Sequence, residues 1–116
     1  MIIGLDFDGT VVSHEYPRIG KNIGAIPVLK DWISKGHKIV LNTMRSGKEL
    51  EEAVQWFKNN EIPLYGINQT PGQRRWTQSP KVHAHIYIDD CGYGIPLIED
   101  PNISTRPFVD WSKINI

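Results

Sequence analysis

Short apolar runs alternate along the chain with stretches in which apolar residues recur every three or four positions. Residues 1–5 are almost continuously apolar, which is typical of a strand that is covered on both faces. Ile26, Leu29 and Ile33 then keep helical spacing. Gly36 follows them and suits the end of a helix. Strands that alternate with helices predict an α/β fold with a mostly parallel sheet, and the first strand is expected at its centre.

The second strand and the second helix are indicated by the next forty residues. The segment "KIVLNT", residues 38–43, is an apolar run that ends in polar residues. Ser46 and Glu49 stand three positions apart and predict a capping box at the start of a helix. The spacing of Leu50 and Phe57 gives this helix an apolar face.

The remaining elements are shorter. Residues 64–68 and 84–90 predict a third and a fourth strand, and the second of these ends in two acids. Residues 68–80 between them are rich in proline and glycine, so this crossover is expected to be very short or irregular. Residues 95–98 and 108–114 predict an edge strand and a terminal turn.

Length and composition favour one globular domain. A chain of 116 residues can bury a real core without staples, and 13 basic residues balance 13 acidic ones. No block of like charge indicates general affinity for nucleic acid or membranes. Cys91 is the only cysteine, which excludes an internal disulfide, and the N-terminus lacks the pattern of a signal peptide. The expected location is the cytoplasm.

Polar residues follow three of the predicted strands. In a parallel sheet the carboxyl ends of the strands meet at one edge, so the polar side chains of these three segments, two of them acidic, are expected to converge there. Carboxylates held this close repel each other unless a cation lies among them. A hard ion such as Mg2+ fits oxygen ligands and also takes phosphate oxygens, which points to phosphoryl transfer. The side chains at this edge are Asp6, Asp8, Thr43, Asp89 and Asp90.

A calcium-binding loop is the alternative interpretation of "DFDGT". An EF-hand loop needs glycine at its sixth position and glutamate at its twelfth. This chain has Val11 and Pro17 there, and a predicted strand rather than a helix precedes the loop. The pattern therefore favours a magnesium site over a calcium loop.

Four motifs in order resemble the haloacid dehalogenase (HAD) superfamily of phosphohydrolases. They are the strand with Asp-x-Asp-x-Thr in "GLDFDGTVV", the strand "IVLNT", a lysine before the last motif strand, and the acidic pair in "IYIDD". The resemblance covers about residues 1–92. It implies a three-layer Rossmann-like sandwich with a mostly parallel central sheet, formed by a single catalytic domain over residues 1–116.

The resemblance also implies a role for each acid. Asp6 would be the nucleophile that attacks phosphorus, and Asp8 would protonate the leaving oxygen and then activate water. Mg2+ would be held by the Asp6 side chain, the Asp8 carbonyl and Asp89, with Asp90 as a further ligand or as support for the others. The expected activity is that of a Mg2+-dependent phosphomonoesterase.

Four residues are the predicted contacts to the substrate. The resemblance gives Thr43 a hydrogen bond to a phosphate oxygen and gives Lys81 the task of balancing the carboxylates, while Gly9 lets the chain turn. Taken alone, Thr43 is more often a turn residue and Lys81 a solvated surface lysine. The predicted contacts are Gly9, Thr43, Arg45 and Lys81. If Lys81 lies elsewhere, the cation could come from Arg74, Arg75 or Lys48.

A cap domain has little room in this sequence. Only a flap at residues 12–24 and the loop at residues 68–80 occupy the usual insertion points, so an open site is expected. Such a site suits a sugar phosphate, a nucleotide or a macromolecule-borne phosphate, gripped by Arg45, Arg74, Arg75 and Trp76 or enclosed by a second copy of the chain. A phosphotransferase, or a regulatory metal-binding protein with a protein partner, are the alternative functions. Cys91, His83 and His85 receive no role.

Overall fold

Four parallel strands form the main sheet of the computed structural model, which describes residues 1–116. Two helices and a separate pair of short strands complete the fold. The elements are β1 (Ile2–Leu5), α1 (Ala25–Ser34), β2 (Lys38–Leu41), α2 (Gly47–Asn59), β3 (Gly66–Ile67), β4 (Ile86–Ile88), β5 (Leu97–Ile98) and β6 (Phe108–Val109). Neither helix is both long and apolar enough to cross a bilayer.

Strand β1 lies inside the sheet, between β2 and β4, in the order β3-β2-β1-β4. All of these pairs are parallel. Ile3 and Leu5 are fully buried, as their apolar run predicted. The expected parallel sheet and the central position of its first strand are both confirmed.

Both helices cover the same face of the sheet. Ile3 pairs with Ile39 on β2 and belongs to one apolar core with Leu29 of α1 and Phe57 of α2. The strands β1, β2 and β3 advance in one direction across the sheet, and right-handed crossovers then place both helices on one side. The ring of Phe7 lies 5.7 Å from that of Phe57, centroid to centroid.

The opposite face is covered by an irregular segment. Tyr87 pairs with Gly4, and its ring lies so close that a Cβ at Gly4 would come within 2.8 Å of it. The Tyr87 hydroxyl donates to the Val82 carbonyl, which places the segment before β4 on this face. The only helical turn between β3 and β4 is a 3₁₀ turn at Gln73–Arg75. The three-layer sandwich is therefore incomplete, because the prolines and glycine of this segment replace the expected second helical layer.

The residues that follow β4 do not extend the main sheet. Strands β5 and β6 pair with each other in an antiparallel sheet of their own, so the predicted edge strand is found apart from the main sheet. The terminal turn is a 3₁₀ turn at Trp111–Lys113. Val109 donates its N–H to the Gly9 carbonyl at 3.1 Å, and the Trp111 indole donates to the Thr10 carbonyl at 2.7 Å. This segment thus supports the turn that follows β1.

The start of α2 differs from the predicted capping box. Ser46 stands at the N-cap, but its side chain makes no capping hydrogen bond. The next residue, Gly47, has a φ of 53°, so the first turn does not have the backbone geometry in which a capping box forms. The predicted capping box is therefore wrong.

Candidate functional site

A tight turn after β1 presents two carboxylates at the carboxyl edge of the sheet. The Phe7 carbonyl accepts the N–H groups of Thr10 and Val11 at 3.1 and 2.8 Å. Gly9 has a φ of 80°, and a Cβ on it would overlap the Asp90 carboxylate. Glycine is the residue that tolerates both constraints. The turn therefore depends on Gly9 to bring β1 and β4 together.

The predicted acids and the threonine line one open cavity of about 550 Å³. Its floor consists of residues that are buried or half-buried, whereas its rim consists mostly of exposed residues from the flap, the two strand-end loops and the C-terminal segment. The floor is Asp6, Asp8, Thr43, Arg45, Asp89 and Asp90. The rim is His14, Tyr16, Met44, Cys91 and Arg106. The expected convergence at the carboxyl edge is confirmed.

The floor raises the pKa of Asp6 to about 8. Burial is the largest cause, followed by the negative charge of Asp89 and a hydrogen bond with Asp90. Hydrogen bonds from the Thr10 hydroxyl and the Phe7 backbone act in the opposite direction. No positively charged side chain is among the causes, so two hydrogen bonds but no cation of the chain stabilise an ionised Asp6.

Thr10 ties the ends of β1 and β4 together. Its hydroxyl lies 2.9 Å from Asp6 Oδ2, to which it donates, and 3.3 Å from Asp90 Oδ1. The same oxygen accepts the backbone N–H of Asp90 at 2.9 Å. Thr10 was assigned no role from the sequence, although its place in "DFDGT" was the available signal. Thr10 positions both carboxylates.

Arg45 holds both carboxylate oxygens of Asp8. Its Nε donates to Asp8 Oδ2 and its Nη2 to Asp8 Oδ1, each at 2.8 Å. The remaining N–H groups of the guanidinium donate to the carbonyls of Pro17, Arg18 and Glu49 at 2.8 to 3.3 Å. Guanidinium has five N–H donors, and all five are used. Arg45 therefore has none for a substrate, and its predicted contact to the substrate is corrected to a contact with Asp8.

The pair between Asp8 and Arg45 also connects the flap to the second helix. The Arg45 side chain is 1% exposed, and that of Asp8 is 13% exposed. Pro17 and Arg18 belong to the flap, whereas Glu49 lies in the first turn of α2. The Asp8 hydrogen bond is the main reason why the pKa of Arg45 is raised. One buried cation thus fixes Asp8 and the flap together.

Thr43 has a hydroxyl proton that no group in the chain accepts. Its backbone N–H donates to Asn68 Oδ1 at 2.8 Å, and its Oγ1 accepts the N–H of Arg45 at 3.1 Å. The hydroxyl is therefore free to donate to a ligand in the cavity, and its predicted hydrogen bond to a phosphate oxygen stays a prediction. The N–H of Gly9 instead donates to the Val12 carbonyl at 2.8 Å, so Gly9 shapes the turn and offers no amide to a substrate.

Lys81 is not brought to the cavity. Its Nζ lies 5.5 Å from the centre of the Tyr87 ring, on the face that carries the irregular segment. Arg74, Arg75 and Lys48, the alternative sources of a cation, do not line the cavity either. The cation found at the rim is Arg106, which comes from outside the four motifs and carried no signal in the sequence.

The floor fits a hard divalent ion. Asp6, Asp89 and Asp90 offer carboxylate oxygens, and the backbone carbonyl of Asp8 accepts no hydrogen bond. Ligand atoms of Asp89, Asp90 and Cys91 lie within 4.8 Å of one another, a cluster that does not include Asp6. Since the Asp8 side chain is held by Arg45, only its carbonyl is open to an ion. The uncompensated burial of Asp6 is the observation that a cation in this place would explain.

Cys91, His83 and His85 do not form a second site. Cys91 is exposed, and the pKa of its thiol is raised mainly by the charge of Asp90. His85 Nδ1 accepts the N–H of Ile2 at 2.8 Å, at the opposite edge of the sheet. The rings of His83 and His85 meet edge to face with their centres 5.6 Å apart. These contacts leave the histidines with a packing role.

A solved structure shows the family to which the chain belongs. No family model matches the chain, and no curated protein matches it. The structure of a conserved protein from Bacteroides thetaiotaomicron matches with a TM-score of 0.76 and 38% sequence identity. The match covers 83% of this chain and 81% of that one. The chain therefore belongs to the same family as this conserved protein.

Proposed function

We propose that the chain is a Mg2+-dependent phosphomonoesterase that resembles the HAD superfamily and acts through Asp6. The observation that carries the proposal is the composition of the floor. Asp6 is held by Thr10 among the carboxylates of Asp89 and Asp90, and the free hydroxyl of Thr43 lines the same cavity. Such a set supplies a nucleophile, ligands for an ion and a donor for a phosphate oxygen.

In this proposal Asp6, Asp89 and the Asp8 carbonyl hold Mg2+, and Asp90 supports them. When bound, Mg2+ would neutralise charge on the phosphoryl oxygens and fix their orientation. The raised pKa of Asp6 supports the same assignment. The chain alone favours the protonated carboxyl, and a nearby cation would favour the ionised form that a nucleophile needs.

The first step is an in-line displacement at phosphorus. A carboxylate oxygen of Asp6 forms a bond to phosphorus while the bond from phosphorus to the leaving oxygen breaks. The leaving oxygen departs with the bonding electron pair and takes a proton from Asp8. The product is an aspartyl phosphate on Asp6 and a free alcohol.

The second step returns the enzyme to its first state. Asp8 takes a proton from water, the water oxygen bonds to phosphorus, and the bond between phosphorus and Asp6 breaks. Arg45 occupies one lone pair on each Asp8 oxygen, and a carboxylate has about four such positions. Asp8 can therefore carry a proton without leaving Arg45, which keeps it in one orientation during both steps.

The open cavity supports a substrate larger than inorganic phosphate. Its volume of about 550 Å³ lies in the range that holds small organic ligands. The flap of residues 12–24 contributes His14 and Tyr16 to the rim of this cavity. A sugar phosphate, a nucleotide or a macromolecule-borne phosphate could enter.

Turnover of 4-nitrophenyl phosphate with Mg2+, and its loss in EDTA, tests the proposal. The Asp6→Asn variant keeps the shape of the side chain and should lose at least about a thousandfold in kcat, because the nucleophile is gone. Asp31→Asn is the matched control, since Asp31 is exposed and pairs only with Lys35 on the surface of α1.

The outcome that contradicts the proposal is unchanged turnover in folded Asp6→Asn, or no turnover by the natural chain. A trapped phosphate analogue such as beryllium fluoride should appear on Asp6 in a crystal or in a fluorine NMR spectrum. Added glycerol separates hydrolysis from transfer, because a phosphotransferase would yield glycerol phosphate.

A further inference from the structure

Arg106 is the one cation of the cavity that has no acidic partner. All N–H groups of the Arg45 guanidinium donate to Asp8 or to backbone carbonyls. Arg106 is exposed, and no carboxylate lies within 4 Å of its guanidinium. Its Nη1 lies 3.2 Å from His14 Nε2 and 3.4 Å from His14 Nδ1. Two nitrogen-bearing side chains therefore face each other at the rim.

Several contacts hold the two sides of this rim together. Lys21 of the flap donates to the Ile103 carbonyl at 2.7 Å. The backbone N–H of Arg106 donates to Ser104 Oγ at 3.2 Å, and Ser104 Oγ donates to Glu15 Oε2 at 3.4 Å. The backbone on both sides of Arg106 and His14 is thus fastened across the two segments. These hydrogen bonds do not involve the side chain of either residue.

The acidic residues near Arg106 are directed elsewhere. Glu15 contacts the hydroxyls of Ser13 and Ser104 and lies 4.0 Å from Arg18. Arg106 also lines a second depression together with Glu99 and Asp100, and neither of these acids forms an ion pair with it. The charge of Arg106 is therefore available to a ligand in the cavity.

We propose that Arg106 and His14 bind a second anionic group of the substrate. The inference rests on the proposed phosphomonoesterase activity and adds a substrate class to it. The floor would take the phosphoryl group that is removed, and the rim would take another phosphate or a carboxylate on the same molecule. N–H donors of guanidinium and imidazole make short, charge-assisted hydrogen bonds to either group. Substrates without a second anion leave Arg106 unpaired.

Three aryl phosphates test the inference. Phenyl phosphate has no second anion, whereas its 3-carboxyphenyl and 3-phosphonophenyl analogues carry a carboxylate and a phosphonate. We expect kcat/KM to be about tenfold higher for the anionic analogues, mainly through KM, because a hydrogen bond to a charged group is worth about that much. Comparing the two analogues shows which anion the rim prefers.

The Arg106→Gln variant should bring the ratio of kcat/KM between anionic and plain substrates close to one. His14→Gln should reduce the ratio less. Arg74→Gln is the matched control, because Arg74 is an exposed arginine outside the cavity whose guanidinium contacts only the Ser79 carbonyl. Raising the salt concentration should lower the ratio in the natural chain and leave it unchanged in Arg106→Gln.

The two proposals fail in different ways. If none of the three aryl phosphates is turned over, the phosphomonoesterase activity itself is wrong. If they are turned over but the natural chain shows no preference for the anionic analogues, only the rim site is wrong. A preference that survives in Arg106→Gln also overturns the rim site.

Discussion

The floor and the rim of the cavity use arginine in opposite ways. On the floor, Arg45 is buried and places each of its donors on a carboxylate oxygen or a carbonyl of the chain. On the rim, Arg106 is exposed and contacts only the ring of His14 through its guanidinium. The floor is therefore arranged before a ligand arrives, whereas the rim still has donors to offer. Under the proposed function, the floor would carry out the reaction and the rim would select the molecules that undergo it.

The contrast extends to the acids. On the floor, burial and then the neighbouring carboxylates of Asp89 and Asp90 raise the pKa of Asp6 to about 8, and Thr10 and Gly9 keep the ends of β1 and β4 close together. The rim has no carboxylate among its lining side chains. Ionising the carboxylates of the floor is therefore electrostatically unfavourable, and a bound cation would reduce this unfavourable energy.

The largest expected difference is in stability. Arg45→Met removes one partner of a buried ion pair and leaves Asp8 uncompensated, so the free energy of unfolding should fall by about 3–5 kcal/mol. Arg106→Met is the matched control and should stay within about 0.5 kcal/mol of the natural chain. Urea denaturation of both variants measures the difference. Equal losses would mean that the rim is as much a part of the fold as the floor.

The next effect is a dependence of stability on pH. The pKa of Asp6 is raised from 3.8 to about 8 in the folded chain, so the folded state binds the extra proton between these values. The free energy of unfolding must then fall as pH rises through this window. Between pH 6 and pH 8, in EDTA, the fall contributed by Asp6 should be about 2 kcal/mol.

Urea denaturation at several pH values checks this expectation. Asp6→Asn should lack this fall, because asparagine has no proton to lose. Mg2+ should reduce the fall in the natural chain, since an ion on the Asp6 carboxylate replaces the proton. An equally steep fall in Asp6→Asn would place its origin outside Asp6.

The sequence predicted those parts of the fold and site that depend on local pattern. The apolar run of β1 and the polar residues after it were sufficient to place Asp6 and Asp8 at the carboxyl edge, and "IYIDD" did the same for Asp89 and Asp90. These residues converge because parallel strands end at one edge. No knowledge of side-chain contacts was needed for that step.

The sequence could not predict contacts made through irregular segments. Lys81 follows a stretch without periodicity, so nothing in the pattern fixed which face of the sheet it would reach. Asp8 and Arg45 are 37 residues apart, and their pairing depends on where β2 ends beside β1. Arg106 reaches the rim from a loop about 100 residues beyond Asp6. Tertiary packing determines where these three residues lie, and the periodicity of the sequence does not predict tertiary packing.

A smaller effect is expected at Thr10. Thr10→Val keeps the shape of the side chain but removes the hydroxyl that donates to Asp6 and accepts the N–H of Asp90. The free energy of unfolding should fall by about 1–2 kcal/mol, and the pKa of Asp6 should rise further, because the Thr10 hydrogen bond lowers it. Thr105→Val on the exposed C-terminal segment is the control. A loss no greater than in that control would show that Thr10 does not hold the floor together.

The smallest effect is expected at Met44, which follows Thr43 directly yet belongs to the rim. Its side chain is almost fully exposed, at 99%, so Met44→Ala removes no buried surface. The substitution should change the free energy of unfolding by under about 0.5 kcal/mol. Urea denaturation beside Thr10→Val measures it under the same conditions. Since Met44 and Thr43 are neighbours in the chain, a small effect at Met44 would show that the boundary between floor and rim is set by burial and not by position in a motif. A loss of more than about 1 kcal/mol would mean that Met44 contributes to the stability of the fold as the floor residues do.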